Sequence, residues 1–126
     1  MRTLAVLPSR FAASRFPGKP LALIAGRPMI QWVWEAARQA RGVDRVVVAT
    51  DDERIQSAVN DFEGEVVLTD PALPSGTDRV AAALGLLGGA FDLVINIQGD
   101  EPAMHPETIA AVVRLMEEQP DLPMGT

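Results

Sequence analysis

The chain has 126 residues, 11 Lys plus Arg against 17 Asp plus Glu, and no cysteine. That length supports one hydrophobic core without a covalent staple, and the missing cysteines exclude disulfides, thiolate metal sites and a cysteine nucleophile. A net charge of −6 opposes binding along a nucleic-acid duplex, a hydrophobic fraction of 48% is far from disorder, and no apolar run reaches the roughly 18 residues of a membrane span.

The first apolar run, Leu4 to Leu7, predicts a strand that ends at Pro8. A Pro/Gly-framed loop, Ser9 to Pro20, leads to a helix with Ile30, Val33, Trp34, Ala37 and Ala40 on one face. A second strand, Val46 to Ala49, ends at Thr50-Asp51, where Thr50 and Glu53 read as a capping box opening a helix with Ile55, Ala58, Val59 and Phe62. The third strand, Val66 to Leu68, ends at Thr69-Asp70 and precedes a helix with Val80, Leu84 and Leu87 that stops within Gly85 to Gly89. A fourth, Leu93 to Ile97, ends at Gln98-Gly99-Asp100, and Pro106 opens a last helix with Ile109, Val112, Val113 and Met116. Trp32 and Trp34 read as packing residues rather than a stacking platform. Continuous apolar runs indicate strands covered on both faces of a parallel sheet, and strand–helix alternation implies right-handed crossovers. The fold class is therefore α/β, an open doubly wound, mostly parallel, Rossmann-like sheet. The tail from Gln119 to Thr126 offers no strand to finish it, so the sheet is expected to be incomplete at its C-terminus. With no apolar leader at Met1 to Arg10, the expected compartment is the cytoplasm.

Charge is unevenly placed. Residues 1 to 34 hold Arg2, Arg10, Arg15, Lys19 and Arg27 and no acid, so the early part of the chain prefers anions. Open α/β sheets bind ligands outside the carboxyl ends of their strands, which directs attention to the four strand-end loops. The first carries Arg10, Arg15 and Lys19 in a loop able to aim several donors at one anion, and a polyphosphate fits that mixture of guanidinium forks and a compact ammonium. Read one at a time, the same residues are equally solvated surface charge. The fourth loop offers Asp100, a carboxylate suited to Mg²⁺ held together with substrate phosphates, or to organising the turn before Pro102. Gly99 admits a ligand close to the backbone and Gln98 can hydrogen-bond it. The aspartates Asp51 and Asp52 read as helix-cap neighbours or metal ligands, and Ser75 or Thr77 as caps or as ligand contacts. The motifs of dinucleotide oxidoreductases, P-loop NTPases, nucleophile-elbow hydrolases and zinc proteases are missing, and His105 reads as flanking the Pro106 helix.

Five segments stand in one order along nearly the whole chain: Pro8-Ser9-Arg10, Ser14-Arg15-Phe16-Pro17-Gly18-Lys19-Pro20-Leu21, Val48-Ala49-Thr50-Asp51, Ser75-Gly76-Thr77-Asp78-Arg79 and Gln98-Gly99-Asp100-Glu101-Pro102. Together they resemble the 3-deoxy-manno-octulosonate cytidylyltransferases, the CMP-Kdo synthetases of lipopolysaccharide synthesis. CMP-sialate synthetases share the early elements but differ at Pro20-Leu21 and at the Gln-Gly-Asp-Glu-Pro run. The resemblance implies a nucleotide-diphospho-sugar transferase type of sheet and transfer of CMP from CTP to Kdo, with Mg²⁺ and release of pyrophosphate. It implies Arg10, Lys19 and Asp100 as catalytic residues, with Asp100 as the metal ligand. Pro8, Ser9, Arg10, Arg15, Lys19, Ser75, Gly76 and Gln98 would bind the nucleotide, while Arg79 and Gln98 would face the sugar acid. Ser9 stands where the family usually has Ala, and Phe16 where it usually has Leu. Family members are about twice as long and are expected to be homodimers. Residues 1–126 are then expected to be the nucleotide-binding part, retaining the cradle but turning over poorly. The alternatives are a CTP-binding module without turnover and a cytidylyltransferase for a related acid sugar.

Overall fold

The computed structural model describes residues 2–10, 19–70, 72–73, 76–88, 91–97 and 106–118. In chain order the elements are β1 (Thr3–Ser9), a 3₁₀ turn (Lys19–Leu21), β2 (Leu23–Ile24), β3 (Arg27–Pro28), α1 (Met29–Gln39) and β4 (Arg45–Thr50). They continue with α2 (Glu53–Asp61), β5 (Glu65–Leu68), α3 (Gly76–Leu87), β6 (Leu93–Asn96) and α4 (Pro106–Glu118). Four of the strands pair in parallel, in the order β5-β4-β1-β6.

Every residue of β1 is buried, because this central strand is covered on both faces. Its side chains alternate between two layers. Ala5 and Leu7 join Ile30 and Val33 of α1, Ile55 and Val59 of α2, and Ile109 and Val113 of α4. Leu4 and Val6 join Val80 and Ala83 of α3 on the other face. Helices on both sides of a parallel sheet make the fold open and doubly wound, as the alternation of patterns predicts. Each fully buried Leu or Ile here stabilises the fold by about 1.5–3 kcal/mol through removal of apolar surface from water.

The predicted strand end at Pro8 is corrected, since β1 continues through Ser9 and Pro8 pairs in register with Ala49. The reason lies in the parity of the ladder. Val6 turns its carbonyl toward β6, where it accepts from the Ile97 amide at 3.0 Å, so Pro8, two residues on, faces the same side. The N–H that Pro8 lacks therefore falls on the β6 side, where the ladder stops, and pairing with β4 continues unbroken through Ser9.

The capping box is also corrected. Thr50 belongs to β4, in register with Ser9, and the cap of α2 is Asp52, whose Oδ1 accepts from the Arg54 amide at 2.8 Å. The Thr50 hydroxyl instead accepts from the Asp52 amide at 3.2 Å. The third helix ends at Leu87 with Gly88 at φ +64°, inside the predicted glycine segment.

One small element had no sequence signal. β2 and β3 form an antiparallel hairpin across Ala25 and Gly26, whose φ angles of 51° and 83° are both positive, as a two-residue hairpin turn of this hand requires. Trp32 holds it down by donating from Nε1 to the Ile24 carbonyl at 2.8 Å. Trp34 is a packing residue of the core, 4.8 Å from the Phe62 ring, whereas Trp32 is partly exposed, with the Arg27 guanidinium 5.1 Å from its ring. Among the described residues, no helix is long and apolar enough to cross a membrane.

Candidate functional site

The chain runs from β1 to β4 and β5 on one side, then returns to β6 on the other side of β1. A crevice at such a reversal lies outside the carboxyl ends of the two strands that flank it, here β1 and β6. Arg10 follows β1 directly, and the segment beginning at Gln98 follows β6 after Ile97.

The carboxyl ends of β1, β4 and β5 meet α3 in one polar cluster. Asp51, immediately after β4, places Oδ2 4.0 Å from Arg10 Nε and 3.5 Å from Arg79 Nη2. Arg79, in the first turn of α3, donates from Nη1 to the Thr69 hydroxyl and lies 3.4 Å from the Asp70 carbonyl. Thr69 in turn donates its hydroxyl to the Thr50 carbonyl at 3.3 Å, tying the end of β5 to that of β4. Exposure falls along this row, from 34% for the Arg10 side chain through 14% for Asp51 to 0% for Arg79.

Burial pushes the Arg79 guanidinium below its ordinary pKa; Asp51 opposes that shift and the second cation, Arg10, adds to it. Its Nε and Nη2, together with Arg10 Nε, are buried without a hydrogen-bond partner. Asp52 is engaged differently, with hydrogen bonds from Arg54 holding its carboxyl below the usual range. Both aspartates are engaged by arginines, and among the described residues no group of three or more His, Asp or Glu could hold a metal ion.

Of the residues expected at the site, Pro8, Ser9, Arg10, Gly76 and Arg79 fall at this end of the sheet. Ser9 is buried and its hydroxyl donates to the Leu7 carbonyl at 3.3 Å. Arg79, expected to face a sugar acid, is enclosed and committed to Thr69, Asp70 and Asp51. The backbone of Lys19 opens the 3₁₀ turn, while its side chain and Arg15, Ser75, Gln98 and Asp100 lie outside the described residues, as do His105 and the tail from Gln119. Sequence reasoning did not pick out Thr69, nor Asp51 as the partner of two arginines. The available signal was the repeated Thr-Asp pair that closes both β4 and β5, Thr50-Asp51 and Thr69-Asp70.

Fold and cluster together define an open, doubly wound α/β domain that gathers Arg10, Asp51 and Arg79 at the carboxyl ends of its strands. The chain belongs to the cytidylyltransferase family, whose profile matches residues 4–124. It is 57% identical over 118 residues to a 3-deoxy-manno-octulosonate cytidylyltransferase of Anaeromyxobacter sp. (strain K), covering 93% of this chain and 48% of that protein. It is 51% identical over 121 residues to an 8-amino-3,8-dideoxy-manno-octulosonate cytidylyltransferase of Shewanella frigidimarina (strain NCIMB 400), covering 95% and 49%. A solved CMP:2-keto-3-deoxy-manno-octonic acid synthetase complexed with CTP superposes with a TM-score of 0.91 at 42% identity, covering 98% of this chain and 50% of that one. The chain thus spans about half the length of the curated relatives it matches.

Proposed function

We propose that residues 1–126 are the nucleotide-binding part of a cytoplasmic CTP:3-deoxy-manno-octulosonate cytidylyltransferase of lipopolysaccharide synthesis, which forms CMP-Kdo and pyrophosphate. The observation that carries this reading is the position of Arg10, at the carboxyl end of the central strand and at the point where the strand order reverses. The CTP complex among the solved relatives supports it.

In this reading the anomeric hydroxyl of Kdo attacks the α-phosphorus of CTP and pyrophosphate leaves. Catalysis of such a transfer rests on positioning and on neutralising charge. Arg10 and Lys19 hold the triphosphate and stabilise the charge that develops on the leaving pyrophosphate, with Arg15 assisting. In this assignment Pro8, Ser9, Ser75 and Gly76 serve the cytidine, and Gln98 serves both the nucleotide and the sugar acid. Arg79, being buried, reaches the ligand through its neighbours rather than by open contact. Asp100 would hold Mg²⁺, which when bound neutralises phosphate charge and lowers the pKa of the attacking hydroxyl.

The test is pyrophosphate release from CTP and Kdo, with CTP binding by the 126-residue chain measured separately. Selective CTP binding supports the reading, and failure to bind any nucleotide overturns it. A second substrate, the 8-amino sugar acid, is favoured by the relatives from Shewanella. Competition between the two sugar acids for CMP transfer decides between them.

A further inference from the structure

Asp51 has no part in the roles assigned above, yet it is the group around which the cluster is arranged. Its Oδ2 stands 4.0 Å from Arg10 Nε and 3.5 Å from Arg79 Nη2. Both nitrogens are buried and neither has a hydrogen-bond partner, so the carboxylate is the counter-charge they share, with Asp70 a second, weaker one for Arg79. A carboxylate beside a polyphosphate cradle repels the ligand, and the repulsion is larger at a site partly removed from water. Its place there therefore calls for a compensating task.

Two such tasks follow from the geometry. Arg79 is wholly enclosed, and a buried cation needs a compensating charge. Arg10 is approached at its Nε edge, which restrains a long side chain of many rotamers while a third of that side chain stays open to solvent. Fixing a guanidinium before the ligand arrives removes part of the ordering cost of binding.

We infer that Asp51 is a positioning residue of the nucleotide site: it sets Arg10 toward the phosphates and couples it to Arg79, joining the ends of β1 and β4 to α3. This inference rests on the CTP reading given above. It adds a residue that acts on the ligand only through Arg10.

A double-mutant cycle on the 126-residue chain tests it, with CTP dissociation constants measured in the presence of Mg²⁺ by titration calorimetry. Asp51→Asn is expected to weaken CTP roughly tenfold when Arg10 is present and by less than about twofold in an Arg10→Ala background, a coupling within the usual range for residues in contact. Tighter binding by Asp51→Asn would show that the carboxylate merely repels phosphate, and an equal loss in both backgrounds would show that it merely supports the fold. Either result overturns the inference. Because Asp51→Asn leaves the buried Arg79 only the weaker charge of Asp70, Asp51→Glu is measured beside it. That variant keeps the charge and displaces it by one methylene, so a cooperative melt is expected with a CTP loss that again depends on Arg10. A loss independent of Arg10 overturns the inference here too. A wild-type chain that binds no CTP removes the underlying reading before any variant is made, whereas a chain that binds CTP without coupling removes this inference alone.

Discussion

The Asp52 carboxylate meets the amino end of α2 and the Arg54 side chain at once, accepting from the Arg54 amide at 2.8 Å and from its Nη2 at 2.7 Å. Capping of this kind satisfies an amide that the first turn leaves unpaired. Asp52→Ala is therefore expected to lower stability at neutral pH by about 1 kcal/mol in denaturant titrations. The pH dependence has a definite sign. Arg54 holds the folded-state pKa of Asp52 below its unfolded value, so this stabilisation is complete above the unfolded pKa and is lost as pH falls through the folded one. The difference between wild type and Asp52→Ala should shrink steadily in that acid window. At the proposed site, Arg10→Ala should shrink the CTP-induced thermal shift while leaving weaker binding that can still be measured, and Asp100→Asn should remove its dependence on Mg²⁺. Persistence of both at full size would mean that the phosphates and metal are held elsewhere. Which of these side chains lie close together was only partly legible in the sequence. Placement after a strand identified Arg10, but residues 10, 51 and 79 share a carboxylate only because β1, β4 and α3 converge.

Glycine and its neighbours decide two local structures. The hairpin turn puts Ala25 at φ +51°, a left-handed conformation that an alanine adopts at a cost. Ala25→Asn, which tolerates that region better, should raise stability by about 0.5–1 kcal/mol without disturbing the Trp32 hydrogen bond to Ile24. No gain in the melting temperature would show that the turn does not hold this conformation in solution. Gly64 is constrained by space instead. A Cβ there would stand 2.7 Å from Phe62 Cε1 and 2.8 Å from Val59 Cγ1, so Gly64→Ala should cost about 1–3 kcal/mol by displacing the Phe62 ring from Trp34. Strands and helices were legible because the physics that forms them is also local in sequence: strands buried on both faces read as unbroken apolar runs, and helices as 3/4-spaced stripes. The hairpin was not legible, since Ala-Gly lacks the Asn-Gly or Asp-Gly signal and its support comes from Trp32 on a neighbouring helix. Nor could sequence alone give the extension of β1 past Pro8, which depends on Pro8 turning its nitrogen toward β6 rather than β4.

Five basic residues and no acid in the first 34 positions give the early chain a positive field within a molecule of net charge −6. The fold brings Arg10 from that stretch to the carboxyl ends of the strands, where Asp51 and Arg79 meet it. A nucleoside triphosphate bound there prefers the folded state and must raise the melting temperature by mass action. At a ligand concentration a hundred times Kd the gain is about 2.7 kcal/mol, which for a domain of this size corresponds to a shift of about 10 °C. With Mg²⁺ present, CTP should give this shift, while UTP, GTP and ATP should each give less at equal concentration. Equal shifts from all four would limit recognition to the phosphates and would remove Pro8, Ser9, Ser75 and Gly76 from contact with the base. If none of the four moves the transition, the crevice at the reversal of the strand order does not bind nucleotides, and the assignment of Arg10 to the triphosphate fails with it.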